Sequence, residues 1–151
     1  MHQGRRTFVV TLATMLGSLR LFAQGKAPAM TVYKDPTCGC CSIWVEHIKK
    51  AGFAATVNQT AEVEAIKTQR GVPARARSCH TAIIDRYVIE GHVPAKEIQR
   101  LLKERPAGVI GLAVAGMPIG SPGMEVSGQK AQPYNVLAFD TYGATTVFAS
   151  Y

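Results

Sequence analysis

Three cysteines fall within four residues, Cys38-Gly39-Cys40-Cys41, and a fourth, Cys79, stands alone. Thiolates are both nucleophiles and soft metal ligands. Two chemistries are therefore open to this group: reversible disulfide exchange, and capture of Cu(I), zinc or an iron–sulfur centre. Cys38 and Cys41 have the C-x-x-C spacing of exchanging dithiols. In a first helical turn their Cβ atoms stand about 5–6 Å apart, close to disulfide reach. Cys40 and Cys41 are adjacent, and a trans peptide holds their Cα atoms about 3.8 Å apart, short of the usual disulfide range of about 4.4–6.8 Å. Dithiol exchange has no need of the additional thiol, whereas it suits soft-metal capture.

Four cysteines in an exported chain ordinarily form two structural disulfides. That pattern accommodates C-x-C-C poorly, because three cysteines crowd into one turn and leave only Cys79 as a distant partner. Zinc held by Cys38, Cys41, Cys79 and His80 is chemically reasonable as well. His80 directly follows Cys79, in Ser78-Cys79-His80-Thr81. His92, in Gly91-His92-Val93-Pro94, can face the site from the loop before a helix, although a lone loop histidine is by default solvated. Met117 and Met124 offer thioethers suited to Cu(I), but methionine more often fills core gaps, and core is the expectation for both. His47 is expected on the surface and Trp44 in the core.

Specific elements must position these side chains. Met30-Thr31-Val32-Tyr33 reads as a buried strand. Asp35-Pro36-Thr37 forms a turn, since proline excludes helix from the residue before it. Residues 42–51 place Ile43, Trp44, Ile48 and Ala51 at helical spacing and stop at Gly52. The cysteine trio thus lies at a strand-to-helix junction, where unpaired N–H groups and the helix dipole favour thiolates. A second strand over 53–57, a second helix over 60–70 ended by Gly71, and a loop over 73–78 follow. Thr81-Ala82-Ile83-Ile84 and Tyr87-Val88-Ile89-Glu90 read as strands joined by a tight turn at Asp85-Arg86, and Pro94 opens a helix running through Glu104. The order β-α-β-α-β-β-α is that of the thioredoxin fold, so the expected class is α/β, thioredoxin-like. In that fold the loop entering the third strand ends beside the C-x-x-C motif, which brings Cys79 to the trio and puts His80 where a cis-proline normally stands. Residues 108–128, apolar and rich in Gly and Pro, are expected as a Gly/Met-rich loop packed across the domain. Residues 136–139 and 145–148 flank Asp140-Thr141-Tyr142-Gly143 as a C-terminal β-hairpin.

The N-terminal residues carry a different signature. Arg5 and Arg6 precede an apolar stretch, 8–19, without acidic residues, and Leu21-Phe22-Ala23 offers a cleavage site: the pattern of a secretory signal over 1–23. Gly4-Arg5-Arg6-Thr7-Phe8-Val9 is equally compatible with a twin-arginine signal. The apolar run is shorter than the about 20 residues of a membrane crossing, so membrane attachment is expected only through an uncleaved signal. Residues 24–29 then form a leader and 30–151 one metal-binding domain. Removing 23 of 151 residues leaves 128, and the loss of Arg5, Arg6 and Arg20 reduces 17 basic residues to 14 against 10 acidic ones, a net +4. The remaining basic residues are scattered and not interleaved with aromatics, which argues against nucleic acid as a partner.

Four separated motifs, in order, resemble the CopG family: Tyr33-Lys34-Asp35-Pro36-Thr37-Cys38-Gly39-Cys40-Cys41, Ser78-Cys79-His80-Thr81, Glu90-Gly91-His92-Val93-Pro94, and Gly116-Met117-Pro118 through Ser121-Pro122-Gly123-Met124-Glu125. That family comprises small periplasmic proteins tied to copper resistance. The resemblance spans about residues 31–150 and implies a thioredoxin-like fold in which C-x-C-C and the later cysteine bind copper, as Cu(I) ions bridged by thiolates. Carried onto this chain, the ligands are Cys38, Cys40, Cys41 and Cys79, joined by His80, His92, Met117 and Met124. Copper ions and other periplasmic copper-handling proteins are the implied partners, and copper redox or handling the implied role. Two alternatives stand beside it: a thiol–disulfide oxidoreductase with Cys38 as nucleophile and Cys41 as resolving thiol, and a copper chaperone without redox work. Loss of the cis-proline and the additional thiol both argue against the oxidoreductase.

Overall fold

In a computed structural model, residues 27–151 are described; the expected signal over 1–23 lies outside them. The chain forms β1 (Ala29–Lys34), α1 (Gly39–Lys50), β2 (Ala54–Gln59), α2 (Val63–Gln69), a short 3-10 helix (Ala74–Ala76), β3 (His80–Ile84), β4 (Tyr87–Glu90), α3 (Ala95–Glu104), β5 (Val109–Ala113), β6 (Asn135–Asp140) and β7 (Thr145–Ser150). These strands make one sheet in the order β2-β1-β3-β4-β5-β6-β7. β1 runs parallel to β2 and antiparallel to β3, which is antiparallel to β4. Through α3 the element order is the one predicted, and the terminal hairpin is present as β6–β7.

Alternation along β1 sends Met30, Val32 and Lys34 to buried positions, and the first two join the core. α1 lays Trp44, Val45 and Ile48 on the same core, with Ile89, Ile98, Leu101 and Leu112 contributed from the sheet and α3. Trp44, fully buried as expected, satisfies its indole by donating Nε1–H to the Val93 carbonyl at 2.9 Å. α3 begins after Pro94, whose extended backbone caps it. Among the described residues no helix is long and apolar enough to cross a membrane.

The stretch expected as a loop over 108–128 instead opens with a strand: β5 pairs in parallel with β4 and antiparallel with β6. Its glycine is what disguised it. A Cβ on Gly111 would stand 2.2 Å from the Val88 carbonyl oxygen and 2.4 Å from Phe139 Cζ, so only glycine lets the strand pass beneath that ring. Beyond Ala113 the expectation holds, because residues 114–134 contain no helix or strand.

Candidate metal centre

The site is built on the N-terminus of α1. Cys38 is the N-cap residue, with extended backbone and no side-chain cap bond, and Gly39, Cys40 and Cys41 form the first turn, which carries no acidic residue. The preceding turn is closed by Asp35, whose Oδ1 accepts from Thr37 N at 2.8 Å and from Thr37 Oγ1 at 2.5 Å. The N–H groups at the helix start lack intrahelical partners, and their dipole favours negative charge on the sulfurs beside them. Cys38 and Cys41 are joined in a disulfide, and Cys40 Sγ lies 3.6 Å from Cys38 Sγ.

Cys79 arrives from the opposite side, immediately before β3. A buried polar network holds the residues around it. Ser78 N donates to Glu90 Oε1 at 2.6 Å, Thr81 Oγ1 donates to Glu90 Oε2 at 2.6 Å, and Lys67 Nζ pairs with Glu90 Oε1 at 2.9 Å and donates to Thr81 Oγ1 at 3.1 Å. Ser78 Oγ donates to the Gly116 carbonyl. The strand entrance is thus clamped on both sides of Cys79. All four Sγ atoms come to lie within 4.8 Å of one another. The lone cysteine has joined the trio.

Two imidazoles share Cys79. Its Sγ is 3.3 Å from His80 Nδ1 and 3.0 Å from His92 Nε2, and the three ligand atoms also lie within 4.8 Å of one another. His92 Nδ1 lies 2.8 Å from the Pro122 carbonyl oxygen, which only accepts, so Nδ1 carries the proton and Nε2 turns its lone pair to the sulfur. His92 is fully buried, which corrects the expectation of a solvated loop residue: the segment around Pro122 covers it. His80 is equally buried, its ring 4.3 Å from Trp44 and 5.1 Å from His92, and its Nε2 has no hydrogen-bond partner.

The electrostatics favour neutral groups while no metal is bound. Burial pushes the Cys79 thiol up to about 12, with the Cys40 thiol adding to the effect. Burial holds His80 well below the ordinary imidazole range, with His92 and Lys67 adding, and it also lowers His92. A metal-free chain with neutral buried imidazoles loses stability as pH falls, because the unfolded chain takes up protons from about pH 6.5 while the folded chain does not. The stabilisation from His80 is thus complete above that value and declines by about 1.4 kcal/mol per pH unit below it, until the folded imidazole itself titrates. Urea unfolding of metal-free protein between pH 7 and 5 should show this slope, and His80→Gln should remove one proton's share of it. The contribution of Glu90, whose carboxyl burial raises, cancels in that difference.

The segment carrying Met117 and Met124 reaches α1 through Gly123. At φ +85° a Cβ there would stand 2.8 Å from Trp44 N and 3.0 Å from the Cys40 carbonyl oxygen. Gly123→Ala should therefore lift the segment, weaken the Pro122–His92 bond and cost about 1–3 kcal/mol in denaturant unfolding. Met124 is half-buried beside this contact and Met117 is 50% exposed, so the core position expected for both is not observed: neither joins a core cluster. His47, expected on the surface, is half-buried, and its Nε2 accepts the Ala95 N–H at 3.2 Å.

Sequence reasoning missed Lys67, Glu90, Ser78 and Pro122 as supports of the site. One signal was present: Glu90 is an acidic residue continuing the apolar run Tyr87-Val88-Ile89, and β4 is buried at every position.

An α/β sheet protein with four sulfurs and two imidazoles gathered at its first helix is of the class whose chemistry is thiol-centred, either metal capture or disulfide exchange. A family described as "Protein of unknown function, DUF411" matches residues 76–124. Two solved forms of the copper resistance protein CopG share 42% identity with the chain, each comparison covering 83% of this chain and 98% of that one, at TM-scores of 0.78 (Form 2) and 0.77 (Form 1). A search of the curated proteins finds no match. The chain belongs to the CopG family of copper resistance proteins.

Proposed function

We propose that this chain is a periplasmic copper-binding protein of copper resistance, delivered by the signal over 1–23 and carrying a thioredoxin-like domain over 30–151. Its cargo is Cu(I), held by Cys38, Cys40, Cys41 and Cys79 with ions bridged by shared thiolates. His80, His92, Met117 and Met124 are additional donors. The observation that carries the reading is the convergence of four sulfurs within 4.8 Å, drawn from two distant parts of the chain. That donor set fits a soft monovalent ion, because thiolates select Cu(I) over harder cations. The fit requires the reduced chain, in which Cys38 and Cys41 are free thiols. The buried rings of His80 and His92 flank the half-buried Cys79 and limit water on that side of the site. The partners in this reading are other periplasmic copper-handling proteins, as donors or acceptors of the cargo. In the test, anaerobic reduced protein is titrated with Cu(I) against a chelator of modest affinity. Retention of more than one Cu(I) per chain supports the reading, and failure to compete for any overturns it.

The Cys38–Cys41 disulfide favours a second reading, thiol–disulfide exchange with Cys38 as nucleophile. Insulin reduction by metal-free protein separates the two. A thiol oxidoreductase turns over there, and a copper protein does not.

A further inference from the structure

Of the three buried positions on β1, two are apolar and the third is Lys34, only 2% exposed. A buried ammonium is ordinarily paired with a carboxylate, because an isolated charge is costly to remove from water. The other buried lysine follows that rule: Lys67 pairs with Glu90 at 2.9 Å. Lys34 does not. Among the described residues no carboxylate forms an ion pair with it. Its Nζ donates to the Asp35 carbonyl oxygen at 2.9 Å, while the carboxylate of the same Asp35 accepts from Thr37 N and Thr37 Oγ1 instead. One carbonyl satisfies one of the three ammonium hydrogens.

Lys34 lines a cleft of about 180 Å3 between α1 and the edge strand β2, and no cysteine or histidine lines it. Ser42 contributes a hydroxyl from α1, and Gln59, the register partner of Lys34, contributes a carboxamide from β2. Val45 and Val57 supply apolar wall. The remaining charges of the lining, Glu46 and Lys49, neutralise each other at 3.1 Å. One positive charge is therefore left unanswered, beside neutral donors and apolar surface. A halide would use the charge alone. A carboxylate has two oxygens that accept several donors at once, and a short alkyl group suits the valines. The volume lies below the about 300–1,000 Å3 of sites for drug-sized ligands, so only a small molecule fits.

We propose that this cleft binds a small aliphatic monocarboxylate, with its oxygens on Lys34, Ser42 and Gln59 and its alkyl part against Val45 and Val57. The site is separate from the sulfur cluster, and the proposal does not rest on the copper reading.

The test titrates the metal-free mature protein with sodium acetate replacing sodium chloride, at pH 7 and constant ionic strength. Two-dimensional 1H–15N spectra are recorded alongside thermal unfolding. The expected result is saturable shifts at Lys34, Ser42, Val57 and Gln59, with one acetate per chain. Tm should rise as acetate replaces chloride, because a ligand of the folded state alone stabilises it by mass action. Lys34→Met should lose both the saturation and the rise in Tm. Ser42→Ala/Gln59→Leu, which alters only exposed side chains, should weaken acetate binding by at least about fivefold, and it decides the question if Lys34→Met fails to fold. The proposal is overturned by shifts that do not saturate, by saturation that persists in Lys34→Met, or by unchanged affinity in the double variant. Copper takes no part, so failure here leaves the Cu(I) titration to stand or fall by itself.

Discussion

Cys79→Ser should lower the Cu(I) affinity of the reduced protein by more than tenfold and reduce the number of ions held per chain, while leaving the fold intact. Serine has nearly the same shape but no soft donor, and it leaves Ser78 N and Thr81 Oγ1 on the Glu90 carboxylate as before. The expected floor follows from the loss of about 10–100-fold that accompanies removal of a mere supporter of a ligand; Cys79 is itself a proposed ligand and sits in both donor groups. Competition with a Cu(I) chelator, read beside metal analysis of anaerobically purified protein, checks the result. An unchanged copper count in the variant would mean that C-x-C-C binds alone and that the convergence of the sulfurs is incidental.

Lys67→Met should produce the largest loss of stability, about 3–5 kcal/mol, because it strands a carboxylate in the interior. Both side chains of the Lys67–Glu90 pair are fully buried, 2.9 Å apart. The double variant Lys67→Met/Glu90→Gln should recover most of that loss. It removes both charges, and the carboxamide oxygen still accepts from Ser78 N–H. Urea unfolding of the three proteins measures this directly. A single-variant cost below about 1 kcal/mol, the range of exposed pairs, would contradict the account of the clamp. The same cycle bears on function, since Glu90 grips the residue immediately before Cys79.

The legible parts of this molecule are those governed by local rules. Tyr87-Val88-Ile89-Glu90 announces β4 to the residue, because its apolar β-rich run is bounded by turn residues, and Asp85 takes the left-handed turn conformation at φ 52°. The placement of Cys38, Cys40 and Cys41 at a helix start followed from Pro36 and the spacing of Trp44 and Ile48. The parts that were not legible depend on contacts between distant segments. β5 was hidden because glycine and proline in its neighbourhood argue for loop, and the reason for Gly111 is the Phe139 ring from a strand not yet formed in any local window. The burial of His92 depends on Pro122, thirty residues away. Lys67 gave no sign of being buried, since a helical lysine is ordinarily solvated and its partner lies on β4, distant in sequence. The pairing of Cys38 with Cys41 agrees with their C-x-x-C spacing.

The most direct measurement of the central claim is X-ray absorption at the copper edge of Cu(I)-loaded, reduced protein, wild type beside Cys79→Ser. Sulfur should dominate the copper coordination in the wild type, and the variant should lose sulfur scatterers per copper. A shell of nitrogen and oxygen, or a sulfur shell identical in the two proteins, would contradict it.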